Sequence, residues 1–357
     1  MAVTAGRVEE APRVESRGVS LKAGLVAVAF LVVSVAVGLA VGPVHIPVGS
    51  ILRSALSYLP FLHVHQPLDS VDRAVLWQLR APRVVLAGLV GGMLAVAGAS
   101  YQGVFRNPLA DPYLLGVAGG AGLGATLAIV YASATAAGSN WTVPLAAFGG
   151  AIVAVVATYV LGRSAGATST TGALVLAGVT VATFTAALQT FVQQRHTDVL
   201  QNVYSWLLGG FSTSTWSDVA VCAPYIAASS LVLVLHRRVL DVLSLGDDEA
   251  SSLGIDVSRA RLAIVIAATL GTAAAVAVSG LIAFVGIIVP HTIRLLVSTS
   301  YRAVVPLSLV AGAGFLVLTD VLARTLLSPA ELPIGVVTAF FGAPFFAVVL
   351  RSSRTSR

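Results

Sequence analysis

Residues 262–293 read LAIVIAATLGTAAAVAVSGLIAFVGIIVPHTI, a run of 32 residues without Asp, Glu, Lys or Arg. As one continuous helix this run would be roughly 48 Å long, whereas the hydrocarbon core of a bilayer is about 30 Å thick. The pair Ser279-Gly280 lies within the run and offers a break, because glycine readily adopts conformations that end a helix. The run therefore predicts two consecutive membrane-spanning helices.

The remainder of the chain has the same apolar character. Of its 357 residues, 57% are hydrophobic and 10% are charged, and the mean hydropathy is +0.93. Soluble domains average about 25% charged residues, so the composition predicts an all-α polytopic membrane protein. A crossing needs about 20 mainly apolar residues, and ten stretches qualify as membrane-spanning helices: 23–42, 84–104, 114–134, 142–162, 172–192, 218–236, 262–279, 281–297, 304–323 and 333–350.

The distribution of basic residues predicts the orientation. An even number of crossings puts both termini on one side, and 15 of the 21 Lys and Arg residues fall on that side. Cytoplasmic loops carry the excess of basic residues, so both termini are predicted to be cytoplasmic. The predicted organisation is a tail at 1–21, one membrane domain at 22–350 and a second tail at 351–357. Within the domain, 43–79 is an external loop and 237–261 a cytoplasmic loop.

Single residue types exclude several functions. Cys222 is the one cysteine, so an intrachain disulfide is impossible, and Lys22 is the one lysine. A nucleotide-binding P-loop needs Gly-Lys-Ser/Thr, but Lys22 lies between Leu21 and Ala23. Any ATP that drives this protein must therefore be hydrolysed by another chain. The dispersed basic residues do not form a nucleic-acid-binding patch, and we expect no enzymatic activity, metal site or cofactor.

Three motif blocks lie between the spans. The first contains LRAPR at 79–83, Gln102 and RNPLADP at 106–112, in which Asn-Pro and Asp-Pro predict a rigid turn. The second is GLIAFVGIIVPH at 280–291, and the third combines Asp320 and Arg324 with ELPIGVVT at 331–338. Together they resemble the permease subunits of ABC importers for iron complexes and cobalamin, the FecCD-type family. The resemblance covers about residues 79–350.

This resemblance implies the ten-helix permease fold of type II ABC importers in a bacterial cytoplasmic membrane. It also implies a second permease copy or a sister permease, separate ABC ATPase subunits and an extracytoplasmic substrate-binding lipoprotein. The expected function is import of an iron chelate, iron–siderophore or haem, by alternating access at the dimer interface. Cobalamin is the alternative cargo, and an ion-coupled secondary transporter is the alternative class. Histidines in the first external loop leave haem ligation there as a further hypothesis.

The cytoplasmic loop contains a predicted short helix bounded by two glycines, with acidic residues in its first turn, where the helix dipole favours them. It could be a simple solvated connector. In the family, however, the matching loop forms the helices that dock in a cleft of the ATPase. The coupling residues implied by the resemblance are Gly246, Asp247, Asp248, Glu249, Ala250, Leu253 and Gly254.

Arg80, Arg83 and Arg324 lie on the external side, where cations are disfavoured. Interfacial anchoring, or an i,i+4 pair between Asp320 and Arg324, would explain them without a partner protein. The resemblance implies instead that these arginines receive acidic residues of the binding protein, to which arginine can bind bidentately. The segment 198–211 resembles the family's short helix at the external mouth. The fifth and tenth spans are expected to line the pathway with Thr180, Thr183, Gln189 and Thr338.

Overall fold

The computed structural model describes residues 18–42, 44, 46–57, 68–132, 141–164 and 171–355, and within them every regular element is a helix. In chain order the helices are α1 Leu21–Ala40, α2 Val48–Leu56, α3 Ser70–Ala74, α4 Ala81–Val104, α5 Val117–Leu127, α6 Thr142–Ser164, α7 Thr171–Arg195, α8 Leu200–Leu207, α9 Trp216–Leu235, α10 Arg237–Leu243, α11 Asp247–Ser252, α12 Val257–Ser279, α13 Val285–Leu296, α14 Tyr301–Thr325 and α15 Ile334–Thr355.

The all-helical prediction is confirmed, and each of the ten predicted spans corresponds to a helix in this part of the chain. Seven of these helices are long and apolar enough to cross a membrane, and the apolar helices Val117–Tyr131, Val285–Leu296 and Ile334–Val348 are shorter. The expected tail at 1–21 lies mostly outside the described residues. So do His45, His63 and His65 of the external loop, on which the haem hypothesis rested.

The break inside the 32-residue apolar run is confirmed. Helix α12 ends at Ser279, and Gly280 follows with φ +68°, a conformation that glycine tolerates well. The next helix begins later than the predicted residue 281, because Phe284 also has a positive φ (+69°) and residues 281–284 are not helical. Helix α13 is therefore only 12 residues long.

Two other boundaries differ from the sequence prediction. The second span was predicted to begin at 84, but the helical chain runs without interruption from Ser70 to Val104 through a π-helical segment, Val75–Arg80. The third span was predicted to begin at 114, but Gly116 has φ +82° and α5 begins after it. In both cases the apolar pattern indicates the membrane segment, while backbone geometry decides where the helix starts.

Helix α4 lies at the centre of the bundle. It packs against α14, α12, α13 and α9, and most of its residues are buried. Close packing depends on small residues, which allow helix backbones to approach in lipid. A Cβ atom on Gly98 would lie 2.0 Å from the carbonyl oxygen of Gly286 in α13, and one on Gly91 would lie 2.3 Å from that of Gly312 in α14. These glycines set the distance between the helices.

A second group of helices, α5, α6 and α7, packs side by side and is joined to the centre through α6 and α12. Helix α1 lies against α14 at the edge of the bundle, and only Ser34 and Gly38 of this helix are buried. Helices α7 and α15 also leave large apolar side chains exposed, among them Phe184, Phe191 and Phe340. The described part of the chain therefore presents extensive apolar surface, as expected of a protein that is surrounded by lipid.

Candidate functional site

The first candidate site is a cluster of charged side chains at the predicted external end. Arg83, in the first turn of α4, donates hydrogen bonds through Nε and Nη2 to Asp320 of α14, at 3.0 and 2.8 Å. Its Nη1 and Nη2 atoms also donate to Glu331, at 2.8 and 3.0 Å. The Asp320 side chain is 1% exposed and that of Glu331 is 38% exposed. Arg83 thus connects a buried carboxylate to one at the surface.

The two other arginines of the predicted docking trio are buried. Arg80 donates to the carbonyl oxygens of Leu39 at 3.1 Å and Ala40 at 3.2 Å, and also to that of Val44. Arg324 donates to the carbonyl oxygen of Gly38 and lies 3.7 Å from Asp320. The last carbonyls of a helix have no partner within it and attract cations, so Arg80 and Arg324 together cap the end of α1.

Reasoning from the sequence paired Arg324 with Asp320 but did not find the other partners. Docking of a binding protein on the trio stays a prediction. The structure adds that all three side chains already have partners within the subunit. Asp320 and Glu331 could have been proposed as partners of Arg83 from their place in the third motif block, whereas backbone carbonyls carry no sequence signal.

A cavity of about 570 Å³ opens beside the Arg83–Glu331 pair. It is lined by the loops before α9 and before α15 and by the end of α12, with many hydroxyl groups between Ser212 and Ser217. Trp206 of α8 also lines it, so the short helix predicted within 198–211 is present and adjoins this cavity. The charged cluster therefore borders a polar recess rather than a closed surface.

The second candidate site is at the opposite end of the helices, around α11. This short helix is bounded as predicted, since Gly246 precedes it with φ +149° and Gly254 follows it with φ +81°. Asp247 accepts hydrogen bonds from Arg106 of the α4–α5 turn at 3.2 Å and from Arg261 of α12 at 2.9 Å. Its neighbours divide between two faces: Ala250 is buried, whereas Asp248, Glu249 and Leu253 are exposed.

Helix α11 is therefore fixed to the α4–α5 turn and to α12 through one carboxylate, and its acidic and apolar side chains Asp248, Glu249 and Leu253 remain exposed. The sequence did not predict the Arg106 and Arg261 contacts. These residues are not at a regular spacing in the sequence, so their pairing with Asp247 becomes evident only in the folded structure.

The same end contains a polar contact between two motif blocks. Gln102 of α4 donates to the carbonyl oxygen of Gly286 at 3.0 Å and accepts a hydrogen bond from Arg294 of α13. The Arg294 guanidinium also lies over the Tyr301 ring, 5.3 Å from its centroid. These contacts join the last turns of α4 to α13, so the first two motif blocks pack against each other.

The third candidate site is the exposed face of α7. Thr180, Thr183, Thr190 and Gln194 are exposed, and their spacing places them on one stripe of the helix. The three threonine hydroxyls donate to carbonyls four residues earlier, at 2.8 to 2.9 Å. Gln189 is half-buried, near Gly122 of α5. Polar groups at membrane depth usually face other helices or water, so this stripe is unlike an ordinary lipid-facing surface.

Thr338, the fourth predicted pathway residue, has no exposed surface and donates to the carbonyl oxygen of Gly335 at 3.1 Å. A completely buried side chain contacts no cargo, so Thr338 does not line an accessible pathway in this conformation. Among the residues that the structure describes, no group of three or more His, Cys, Asp or Glu side chains could hold a metal ion.

Comparison with known proteins gives consistent findings. Residues 30–352 match the model of the FecCD transport family. The chain is 39% identical over 279 residues to the cobalamin import system permease protein BtuC of Halobacterium salinarum, which covers 78% of this chain and 74% of that protein. It is 36% identical over 281 residues to the hemin transport system permease protein HmuU of Yersinia pestis, covering 78% and 84%.

The fold is also similar to a solved structure. An inward-facing conformation of a metal-chelate type ABC transporter superposes with a TM-score of 0.80 at 29% sequence identity. The match covers 93% of this chain and all of the other one. The helix arrangement described above is therefore the permease fold of that transporter class.

Proposed function

The chain belongs to the FecCD transport family, and from that premise we propose that it is the permease subunit of an ATP-driven importer for an iron chelate, either an iron–siderophore complex or haem. It is an ABC transporter permease and not itself an enzyme. The haem-transporting relative and the metal-chelate transporter support an iron chelate. Cobalamin is the second candidate, because a cobalamin permease is similar to a comparable degree.

The observation that supports this function most directly is the polar stripe on α7. A helix that faced only lipid would have no reason to align Thr180, Thr183, Thr190 and Gln194 on one exposed face. We propose that a second permease, identical or related, faces this stripe and that the cargo passes between the two subunits. Alternating access would then open the space between the α7 helices to one side at a time.

The proposed engine is a pair of ABC ATPase subunits that bind at α11. Asp248, Glu249 and Leu253 form the exposed face for this contact, with Gly246, Ala250 and Gly254 shaping the helix. Movement of α11 would pass through Asp247 to Arg106 and Arg261, and so to α4, α5 and α12. Through this polar link, a short segment outside the bundle would shift its central helix.

We further propose that the substrate-binding protein docks at the opposite end, on the Arg83 cluster. Arg83 is the member of the trio suited to this role, because its Glu331 partner is partly exposed. An acidic group of the binding protein would replace Glu331 on the guanidinium, while Asp320 keeps the arginine in place. The buried Arg80 and Arg324 would support the surface by fixing α1. Both chain termini would then be in the cytoplasm of a bacterium, as the basic residues indicate.

Uptake into vesicles tests the proposal. The permease, reconstituted with its ATPase and binding protein, should accumulate an iron–siderophore complex or haem in an ATP-dependent manner. Uptake of cobalamin alone would identify the second candidate as the cargo. Accumulation that follows a proton or sodium gradient without ATP would refute the proposal.

A matched pair of variants tests the pathway. Thr183→Phe places a bulky ring on the stripe and should reduce uptake at least tenfold. Leu188→Phe adds a ring to an exposed position of the same helix, away from the stripe, and should leave uptake nearly unchanged. Equal rates for the two variants would show that the stripe does not face the cargo.

A further inference from the structure

A groove of about 280 Å³ lies where the end of α6 meets the start of α12, with α7 on its other side. Its apolar lining is formed by Leu115, Val155, Leu174, Leu262 and Val265. Both helices change from apolar to charged at this level, since α6 ends beside Arg163 and the apolar run of α12 begins at 262. The groove is therefore at the boundary between hydrocarbon and water.

The polar rim of the groove is basic. Arg163, Arg259 and Arg261 all line it, together with the hydroxyl-bearing Thr158 and Tyr159. Arginine binds phosphate well, because its planar guanidinium can donate two hydrogen bonds to two oxygens at once. Three such groups above an apolar channel are complementary to a molecule that has an anionic head and a hydrocarbon tail.

The carboxylates near the rim do not fully satisfy these arginines. Asp256 lies 3.1 Å from Arg259, whose side chain is 90% exposed. Asp247 accepts from Arg261 but is shared with Arg106, and the buried Nε atom of Arg261 has no hydrogen-bond partner.

Arg163 is the least neutralised of the three. It donates to the Tyr159 hydroxyl at 3.2 Å and lies over that ring, 5.5 Å from its centroid. Within the described part of the chain it pairs with no carboxylate. The rim therefore has donors and positive charge available for an anion.

We propose that this groove binds an anionic phospholipid of the surrounding leaflet, with its phosphate on the arginine rim and part of an acyl chain along the apolar wall. Basic pockets between membrane helices on the cytoplasmic side are a known kind of site for anionic lipid headgroups. Because Arg261 also holds Asp247, the bound lipid would contact the same network that fixes α11. Binding of a lipid in this groove requires only the permease and does not depend on the identity of its cargo.

The test is a lipid titration of the full-length permease. The protein is purified in detergent together with whatever subunits remain bound to it. The thermal unfolding midpoint is recorded while phosphatidylglycerol or phosphatidylcholine with identical acyl chains is added, and in a third series inorganic phosphate alone. A ligand that binds the folded state raises this midpoint with its concentration. Phosphatidylglycerol should raise it at concentrations at which the other two additives have no effect.

Three variants locate the effect. Arg163→Gln should weaken the apparent affinity for phosphatidylglycerol about fivefold, and Arg163→Gln with Arg259→Gln about 25-fold. Arg163→Lys keeps the charge but loses the planar two-donor fork, so its affinity should lie between those of the wild type and Arg163→Gln. Arg238→Gln removes an exposed charge from α10, outside the groove, and should have no effect. The midpoints without lipid establish that each variant is folded.

Several results would overturn the proposal. Equal responses to the two phospholipids, or an equal response to inorganic phosphate, would show that no anionic lipid is recognised. An unchanged affinity in both the single and the double variant would exclude the groove as its site. If the variants bound lipid normally but lost association with the ATPase, the rim would be a protein contact instead.

Discussion

Removal of the Asp320 carboxylate tests whether the Arg83 cluster, formed by Arg83, Asp320, Arg324 and Glu331, stabilises the fold or is a weak surface network. Asp320 accepts hydrogen bonds from two nitrogen atoms of Arg83, at 2.8 to 3.0 Å, and lies 3.7 Å from Arg324. Its side chain is only 1% exposed. Substitution of Asp320 leaves both guanidinium groups without their shared anion. The Nε atom of Arg324 already has no hydrogen-bond partner, and the Gly38 carbonyl oxygen that accepts from the same side chain has no net charge with which to replace the carboxylate.

The expected loss in the free energy of unfolding follows from the burial of Asp320. Breaking a buried ion pair by removal of one partner costs about 3–5 kcal/mol, since the other charge stays desolvated. Asp320→Ala should be at the upper end of this range. Asp320→Asn retains one acceptor oxygen for Arg83 and should be at the lower end. Glu331 binds the same arginine at similar distances but is 38% exposed, so Glu331→Gln should cost less than about 1 kcal/mol.

Unfolding by denaturing detergent in mixed micelles measures these differences, and a double-mutant cycle with Arg83→Gln isolates the pairwise part. In that cycle Asp320→Asn should lower the free energy of unfolding much less in the Arg83→Gln background than in the wild type. In that background one buried cation fewer loses its carboxylate partner. If Asp320→Asn and Glu331→Gln destabilised the protein equally, or if both effects were below about 1 kcal/mol, burial would not govern this cluster and the reasoning would be refuted.

Three other predictions concern the packing, the coupling segment and the end of α1. Gly98→Ala would press a methyl group against the Gly286 carbonyl oxygen and should destabilise the protein by about 3 kcal/mol in the same unfolding assay, whereas Gly149→Ala, with nothing within 4 Å, should be neutral or slightly stabilising. Asp247→Asn should change stability by less than about 1 kcal/mol, because its partners are partly exposed, yet reduce ATP-driven uptake severalfold. Arg80→Gln should destabilise the protein by about 2–3 kcal/mol and increase hydrogen exchange near residues 38–42, a change that would be absent if α1 were held by packing alone.

Much of the fold could be predicted from the sequence, because bilayer thickness imposes a length on every crossing. Apolar stretches located ten helices, and the glycine at 280 divided the longest run correctly. Errors occurred where helices are short or begin inside an apolar stretch. Hydrophobicity does not report that Gly116 and Phe284 have positive φ, so the third and eighth spans were assigned starts that are too early.

The candidate sites were less accessible to sequence reasoning, for a physical reason. Helix α11 could be predicted because glycines and acidic first-turn residues are local signals. Its attachment to Arg106 and Arg261 joins residues that are 141 and 14 positions away from Asp247, and no local pattern encodes such a contact. The α7 stripe is intermediate: Thr180 and Thr183 were identified, but their exposure depends on which helices pack against α7.

The arginines of the predicted external end show how one anomaly can be detected in the sequence and still be explained only by the structure. The positive-inside rule marks Arg80 and Arg324 as exceptional, since cations are disfavoured on that side. Their partners are carbonyl oxygens at the end of α1, a helix without a basic residue in its own last turn. Every residue type has a carbonyl oxygen, so the sequence cannot point to this contact. An arginine that is exceptional for topology thus serves as a helix cap supplied from a neighbouring helix. Of the trio, Arg83 is the one whose partner, Glu331, is partly exposed at the surface.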